Sequence, residues 1–216
     1  MGFITVYLSS SYLAPVEYYT KLLKYDKVCT EQYDYYTKQT YRNRCVIAAT
    51  ERKFSVLSIP VVHSDNPKCL MKDIRISNHG NWRHIHWNAI VTAYGNTPFF
   101  DYYRDDFYPF YENRYTFLID FNEELCRLVC KLIDIPFVGE RTTKYKIDLT
   151  PDEYDFRETI HPKKNFQTGN SDFIPFPYYQ VFEGRHGFIP NLSIIDLLFN
   201  MGQESLLILL KSINGR

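Results

Sequence analysis

The stretch Phe3-Ile4-Thr5-Val6-Tyr7-Leu8, followed by Ser9-Ser10-Ser11, Pro15 and the run to Lys24, then Lys27-Val28-Cys29-Thr30, sets the fold class. Its first six residues form an apolar run with β-branched members and read as a buried strand. Pro15 suits the first turn of a helix, because its φ is preset and its missing N–H is an orphan there anyway. That helix runs over about 15–24, Asp26 closes it, and residues 27–30 make a second short strand. Strand, helix, strand within thirty residues is the order of a parallel βαβ unit. Ligands of open parallel sheets collect at the carboxyl ends of strands, so the loop after the first strand is a functional candidate.

Working outward, residues 44–50 and 54–62 are rich in β-branched side chains and flank Glu51-Arg52-Lys53, which predicts an antiparallel hairpin. After a linker at Asn66-Pro67, Asp73 to Ile76 reads as another short strand. Three helices then follow over about 81–94, 99–112 and 115–134, the first broken by Gly95-Asn96-Thr97-Pro98. In the third, Leu118, Phe121, Leu125, Leu128, Val129 and Leu132 recur at helical spacing, which leaves Asn122, Glu123, Glu124, Arg127 and Lys131 for solvent. Residues 139–187 are Pro-, Gly- and Asn-rich, with Lys144 to Leu149 and Tyr178 to Phe182 as strands in an irregular segment of the kind that covers sites. Ser193 with Asp196 resembles a capping box for a helix over 194–200 ended by Gly202, and a last helix spans about 203–213. The expectation is one α/β domain over 1–216. Its 1–80 part is a mixed sheet beginning with the βαβ unit, and its 81–216 part is a mainly helical half packed on that sheet.

Lys plus Arg and Asp plus Glu balance at 25 each among 216 residues, so no overall field attracts nucleic acid or an anionic membrane. No apolar run is long enough to span a bilayer. Five cysteines, an odd number at irregular spacing, and no signal-like start point to a reduced, cytoplasmic protein. Cys126 and Cys130, four apart on a helix, lack the further ligands of a zinc set and read as small buried residues; no metal site is assigned. Asp101 with Asp105 is the acidic pair a metal would use, or a solvated face. Nothing names a cofactor.

Two clusters carry chemistry. Both tryptophans and two histidines fall within Asn81-Trp82-Arg83-His84-Ile85-His86-Trp87-Asn88. At helical spacing Trp82, Ile85, His86, Ala89 and Ala93 share one face, so His86 is either a general base among aromatic rings or a packed core histidine. The second cluster, Tyr33 to Arg44, crowds rings with Lys38, Arg42 and Arg44, which suits gripping a phosphate or a sugar; its bland alternative is a solvated loop.

Three stretches together resemble the WbqC-like family: Tyr12-Leu13-Ala14-Pro15-Val16-Glu17-Tyr18-Tyr19 with Lys21-Leu22-Leu23, Tyr36 through Arg44, and Asn81-Trp82 with His86-Trp87 on to Ala93-Tyr94. Pro98-Phe99-Phe100-Asp101-Tyr102-Tyr103 and Gly187 through Asn200 extend the likeness over nearly the full length. The resemblance implies surface polysaccharide or O-antigen biosynthesis. Its implied reaction is transfer of an aminoacyl group, glycyl in some members, from an activated amino acid to a nucleotide- or lipid-linked amino sugar. Members more often have a Gln-Pro pair after the first strand, where this chain has Ser9-Ser10-Ser11. On that reading His86 is the base and Asn43 an oxyanion donor, Lys38, Arg42 and Arg44 grip phosphate, and Tyr41 and Trp82 line the substrate site. His86 is then expected to face the 38–44 loop across a cleft. The alternative is a non-catalytic module binding a sugar nucleotide or a partner protein of the same pathway.

Overall fold

In the computed structural model, which describes residues 3–62, 68–136, 139–166 and 172–214, the opening βαβ unit is present. Strand β1 (Thr5–Ser9) runs parallel to β2 (Lys27–Glu31), in register from Thr5 opposite Lys27 to Ser9 opposite Glu31. Val6 and Leu8 are fully buried and Tyr7 and Ser9 nearly so, as expected of an interior strand of a parallel sheet, covered on both faces. Helix α1 (Val16–Lys24) starts after Pro15 and stops where Tyr25 turns extended. The Ile4 carbonyl then accepts from both the Asp26 and Lys27 amides, which steers the chain straight into β2.

Two three-residue strands complete the sheet. Strand β5 (Gly139–Arg141) lies beside β2 and β6 (Glu153–Asp155) beside β1, both parallel, giving the order β5-β2-β1-β6. The hairpin is also present, as β3 (Arg44–Ala48) against β4 (Phe54–Ser58), but as a separate two-stranded ribbon and not as part of one mixed sheet. Both edges of the β1–β2 pair are taken by residues from beyond position 138, so the hairpin packs instead against α2 and the penultimate helix.

Three strand expectations moved. Lys144 to Leu149 is irregular, with Tyr145 and Ile147 exposed, because its alternation has no core to face. Tyr178 to Phe182 is irregular too: Tyr178 and Gln180 direct their side chains to Asp196. Met71–Asp73 is a 3-10 turn, after which Arg75 and Ile76 make only isolated bridges to Phe117 and Val61. The Asn66-Pro67 linker and residues 167–171 lie outside the described residues.

The helices stand close to their expected bounds: α2 (Trp82–Tyr94), α3 (Phe100–Glu112) and α4 (Leu118–Ile133), then α5 (Glu183–His186), α6 (Ile194–Met201) and α7 (Ser205–Lys211). Along α2 the buried residues are Trp82, His86, Trp87, Ile90, Ala93 and Tyr94, whereas Ile85 faces outward. Helix α6 is the central pin: Ile194 to Asn200 are all buried, and the Phe199 ring meets Tyr94, Phe100 and Phe107. The Ser193 capping box does not form. Its hydroxyl donates to the Leu13 carbonyl and so ties α6 to the loop after β1. Among the described residues no helix is long and apolar enough to cross a membrane, and all five cysteines are unpaired.

Candidate active site

The carboxyl ends of the four parallel strands converge on a network of paired charges. Glu31, which ends β2 and has no exposed surface, accepts from Arg157 Nη1 at 2.9 Å, from Thr142 Oγ1 at 2.7 Å and from the Tyr33 amide at 2.8 Å. Arg157, just past β6, is also clamped by the Asp155 carboxylate. Alongside, Arg42 donates through Nε to Asp34 at 3.1 Å and through Nη2 to Asp34 and Glu158, and the Ser9 hydroxyl reaches Asp34 at 3.4 Å. Burial raises the Asp34 carboxyl, and the Arg42 guanidinium only partly offsets it. Asn122 joins from α4: its amide donates to the Ser10 hydroxyl and to the Arg42 carbonyl. It is therefore buried, where helical periodicity alone assigned it to solvent. Charges removed from water this far are tolerated only when paired, and here the pairs also hold loops from distant parts of the chain.

The order β5-β2-β1-β6 has its switch point between β1 and β6, since the connection from β1 leads toward β2 and the strand on its other side returns from residue 153. A cavity of about 330 Å³ opens there, between the first turn of α1 and the loop after β6. Its polar wall holds Glu17, Tyr41, His161, Lys164 and Asn191; Val46, Val56, Phe166 and Ile189 supply apolar surface. That volume and that mixture, mainly apolar with a few placed polar groups, are usual for a small-molecule site.

Hydrogen bonds hold Glu17, Asn191, His161 and Lys164. The Glu17 amide donates to Asn191 Oδ1 at 2.9 Å, and Asn191 Nδ2 donates back to Glu17 Oε2 at 3.1 Å. Asn191 adopts φ 59°, a left-handed conformation that asparagine tolerates better than most residues. Burial, then the Glu17 charge, pushes the Tyr41 hydroxyl up, so it remains a donor at neutral pH. The His161 ring is lowered, mainly by burial, and its Nδ1 accepts from the Lys163 amide at 3.0 Å. A neutral ring accepting at Nδ1 carries its proton on Nε2. Lys164 Nζ donates to the Glu158 carbonyl at 2.7 Å, which links this wall to the Arg42–Asp34 pair.

The structure separates the residues singled out from sequence into four places. Tyr41 lines the cavity, and Arg42 stands behind it with its guanidinium committed to Asp34 and Glu158. Lys38 sits exposed on the turn before them. Asn43 and Arg44 open β3: Asn43 Nδ2 donates to the Ile59 carbonyl, while the buried Asn43 Oδ1 and Arg44 Nε have no hydrogen-bond partner. His86 and Trp82 are inside the core. Tyr12 lies 3.1 Å through its hydroxyl from His86 Nδ1, the Trp82 ring packs edge-on at 5.1 Å, and burial lowers the imidazole to about 4 although a hydrogen bond that the ring donates to the Ser58 backbone favours its charge. Trp82 Nε1 is spent on the Ser77 carbonyl. No cleft lies between His86 and the 38–44 loop: the fully buried Tyr12 fills that space, its amide on the Tyr41 carbonyl and its hydroxyl on His86. His86 is thus enclosed beneath the loop, where the sequence reading expected it to face a cleft.

Sequence reading missed Glu17, His161, Lys164 and Asn191. Glu17 had a legible signal, since it stands in the first turn of the helix that follows the first strand, where the βαβ rule directs attention. His161 and Lys164 follow a strand of three residues, too short to show periodicity.

Comparison with known proteins adds one finding. No curated protein and no solved structure matches the chain. The model of the WbqC-like protein family matches residues 10–161, a stretch that begins in the loop after β1, ends in the loop after β6 and takes in Glu17, Tyr41 and His161. Sequence motifs and family match agree, and the chain belongs to the WbqC-like protein family.

Proposed function

We propose that the protein is an acyl transferase of surface polysaccharide biosynthesis, joining an activated aminoacyl group to the amine of a nucleotide- or lipid-linked amino sugar in the switch-point cavity. The observation that carries this reading is the composition of the wall: a carboxylate, Glu17, at the cavity with a neutral imidazole, His161, and an ammonium, Lys164. A carboxylate in an apolar recess recognises an ammonium group and takes its proton. The freed amine nitrogen attacks the acyl carbonyl carbon; the C–N bond forms, the bond to the leaving group breaks with its electron pair leaving with that group, and the surplus proton of the new amide nitrogen departs on the leaving group. His161 Nε2–H suits the carbonyl oxygen as charge develops there, and Lys164 suits an anionic leaving group. Direct transfer fits a cavity wall that offers neither Ser nor Cys as a nucleophile.

The test is a thermal-shift titration with a nucleotide-linked amino sugar and its N-acetylated form. The free amine is expected to stabilise the wild type, by about 2.7 kcal/mol at one hundred times its dissociation constant. The N-acetyl form should not, and Glu17→Gln should abolish the difference. Equal stabilisation by both sugars, or by neither, rules the amine site out. With glycyl-adenylate as acyl donor, wild-type turnover that falls at least a hundredfold in Glu17→Gln supports catalysis; binding without turnover returns the protein to the binding-module reading.

A further inference from the structure

A second cavity, of about 350 Å³, lies at the start of α2, and its wall is built from Asn78, Arg83, Arg114, Trp87, Tyr108 and Tyr111 among others. Arg83 is held in place by two polar contacts, Nε to the Asn113 carbonyl at 3.0 Å and Nη1 to Asn78 Oδ1 at 3.1 Å, with its plane over the Trp82 ring at 4.8 Å. Its third nitrogen, Nη2, is buried without a hydrogen-bond partner. Arg114 stands close enough that, after burial, its charge is what lowers the Arg83 guanidinium. The carboxylate in the wall, Glu112, accepts from the Tyr108 hydroxyl. Arg83 and Arg114 line one cavity, an anion placed between two guanidiniums relieves their repulsion, and a planar donor fork matches phosphate oxygens. Trp87 and Tyr108, with ring centroids 5.3 Å apart, form an aromatic wall on which a sugar or base ring can lie.

We propose that this cavity is an anion site, distinct from the switch-point crevice, that holds a phosphate-bearing ligand between Arg83 and Arg114 with the ligand's ring on Trp87 and Tyr108. The proposal rests on its own residues and does not depend on the acyl-transfer reading.

Both tryptophans of the chain stand here, one under Arg83 and one in the wall, so tryptophan emission reports on this cavity. The experiment titrates the full chain with uridine diphosphate and with glucose 1-phosphate while following that emission. A saturable change is expected with at least one probe, and the tighter of the two identifies the ring as base or sugar. Arg114→Gln, at an exposed position that folding does not need, should weaken the affinity at least tenfold. Arg52→Gln, on the exposed hairpin turn, and Glu17→Gln should leave it unchanged. No saturable response to either probe, or equal affinity in wild type and Arg114→Gln, overturns the proposal.

Discussion

A histidine among aromatic rings illustrates how burial decides what a residue does. Helical spacing places His86 on an inward face, and that much is visible in the sequence. Whether an inward imidazole meets a ligand or a neighbour depends on Tyr12, which is 74 residues away in the chain. The consequence is a stability signature. The folded ring has a value of about 4 against an ordinary 6.5, so between these the unfolded chain binds more protons. Stability contributed by neutral His86 is therefore present above about pH 6.5 and is lost as pH falls toward 4, by up to about 3 kcal/mol. Asp196 works in the opposite sense, since burial raises it to about 6 and favours its protonated form in the fold. Urea unfolding at pH 7.5 and pH 4.5 should thus show the wild type losing more stability than His86→Gln over that interval. Identical losses would mean that His86 is not held neutral by the fold.

At the scale of elements, signals are legible where an element is long and carries its own punctuation. Helices α2, α3 and α4 fall within a few residues of their expected bounds, and Gly202 ends α6 as foreseen. Gly202 adopts φ 56°, and a Cβ there would come within 2.6 Å of the Phe99 ring. Gly202→Ala should cost roughly 2–4 kcal/mol, combining left-handed strain with overpacking. Gly184→Ala, with open space around its Cβ, should change stability by less than about 0.5 kcal/mol. Comparing their urea midpoints checks both, and equal midpoints would show that α6 does not depend on its glycine stop. Strands β5 and β6, three residues each, carry no such internal signal. Periodicity needs more residues than they have, and they are strands only because β1 and β2 offer free edges.

Across the whole molecule, the parallel sheet is closed by charge as much as by apolar contact. Glu31 and Arg157, 126 residues apart, form a buried pair that joins the ends of β2 and β6, and Arg42 bridges the buried Asp34 and the more exposed Glu158 in the loops after them. Removing one partner leaves the other charge buried and unpaired, so Arg157→Met should destabilise the fold by about 3–5 kcal/mol. The double variant with Glu31→Gln should regain part of that loss. Urea unfolding of the three chains decides it: a loss below about 1 kcal/mol in Arg157→Met would show that the network does not hold the sheet together. The same network explains why Arg42, drawn from sequence as a phosphate grip, has its guanidinium committed within the protein.

By itself the sequence determined the βαβ opening, the hairpin, the helices and the family, because each is written in contiguous residues through periodicity, turn chemistry or motif. Only the tertiary structure decided which residues meet: that the loop after β6 supplies the far wall of the switch-point cavity, that Glu17 and His161 share it, and that His86 and Asn122 are enclosed. Those facts depend on contacts between segments far apart in the chain, 74 residues for Tyr12 and His86, and a cavity or an ion pair exists only once the folded chain has brought its two sides together.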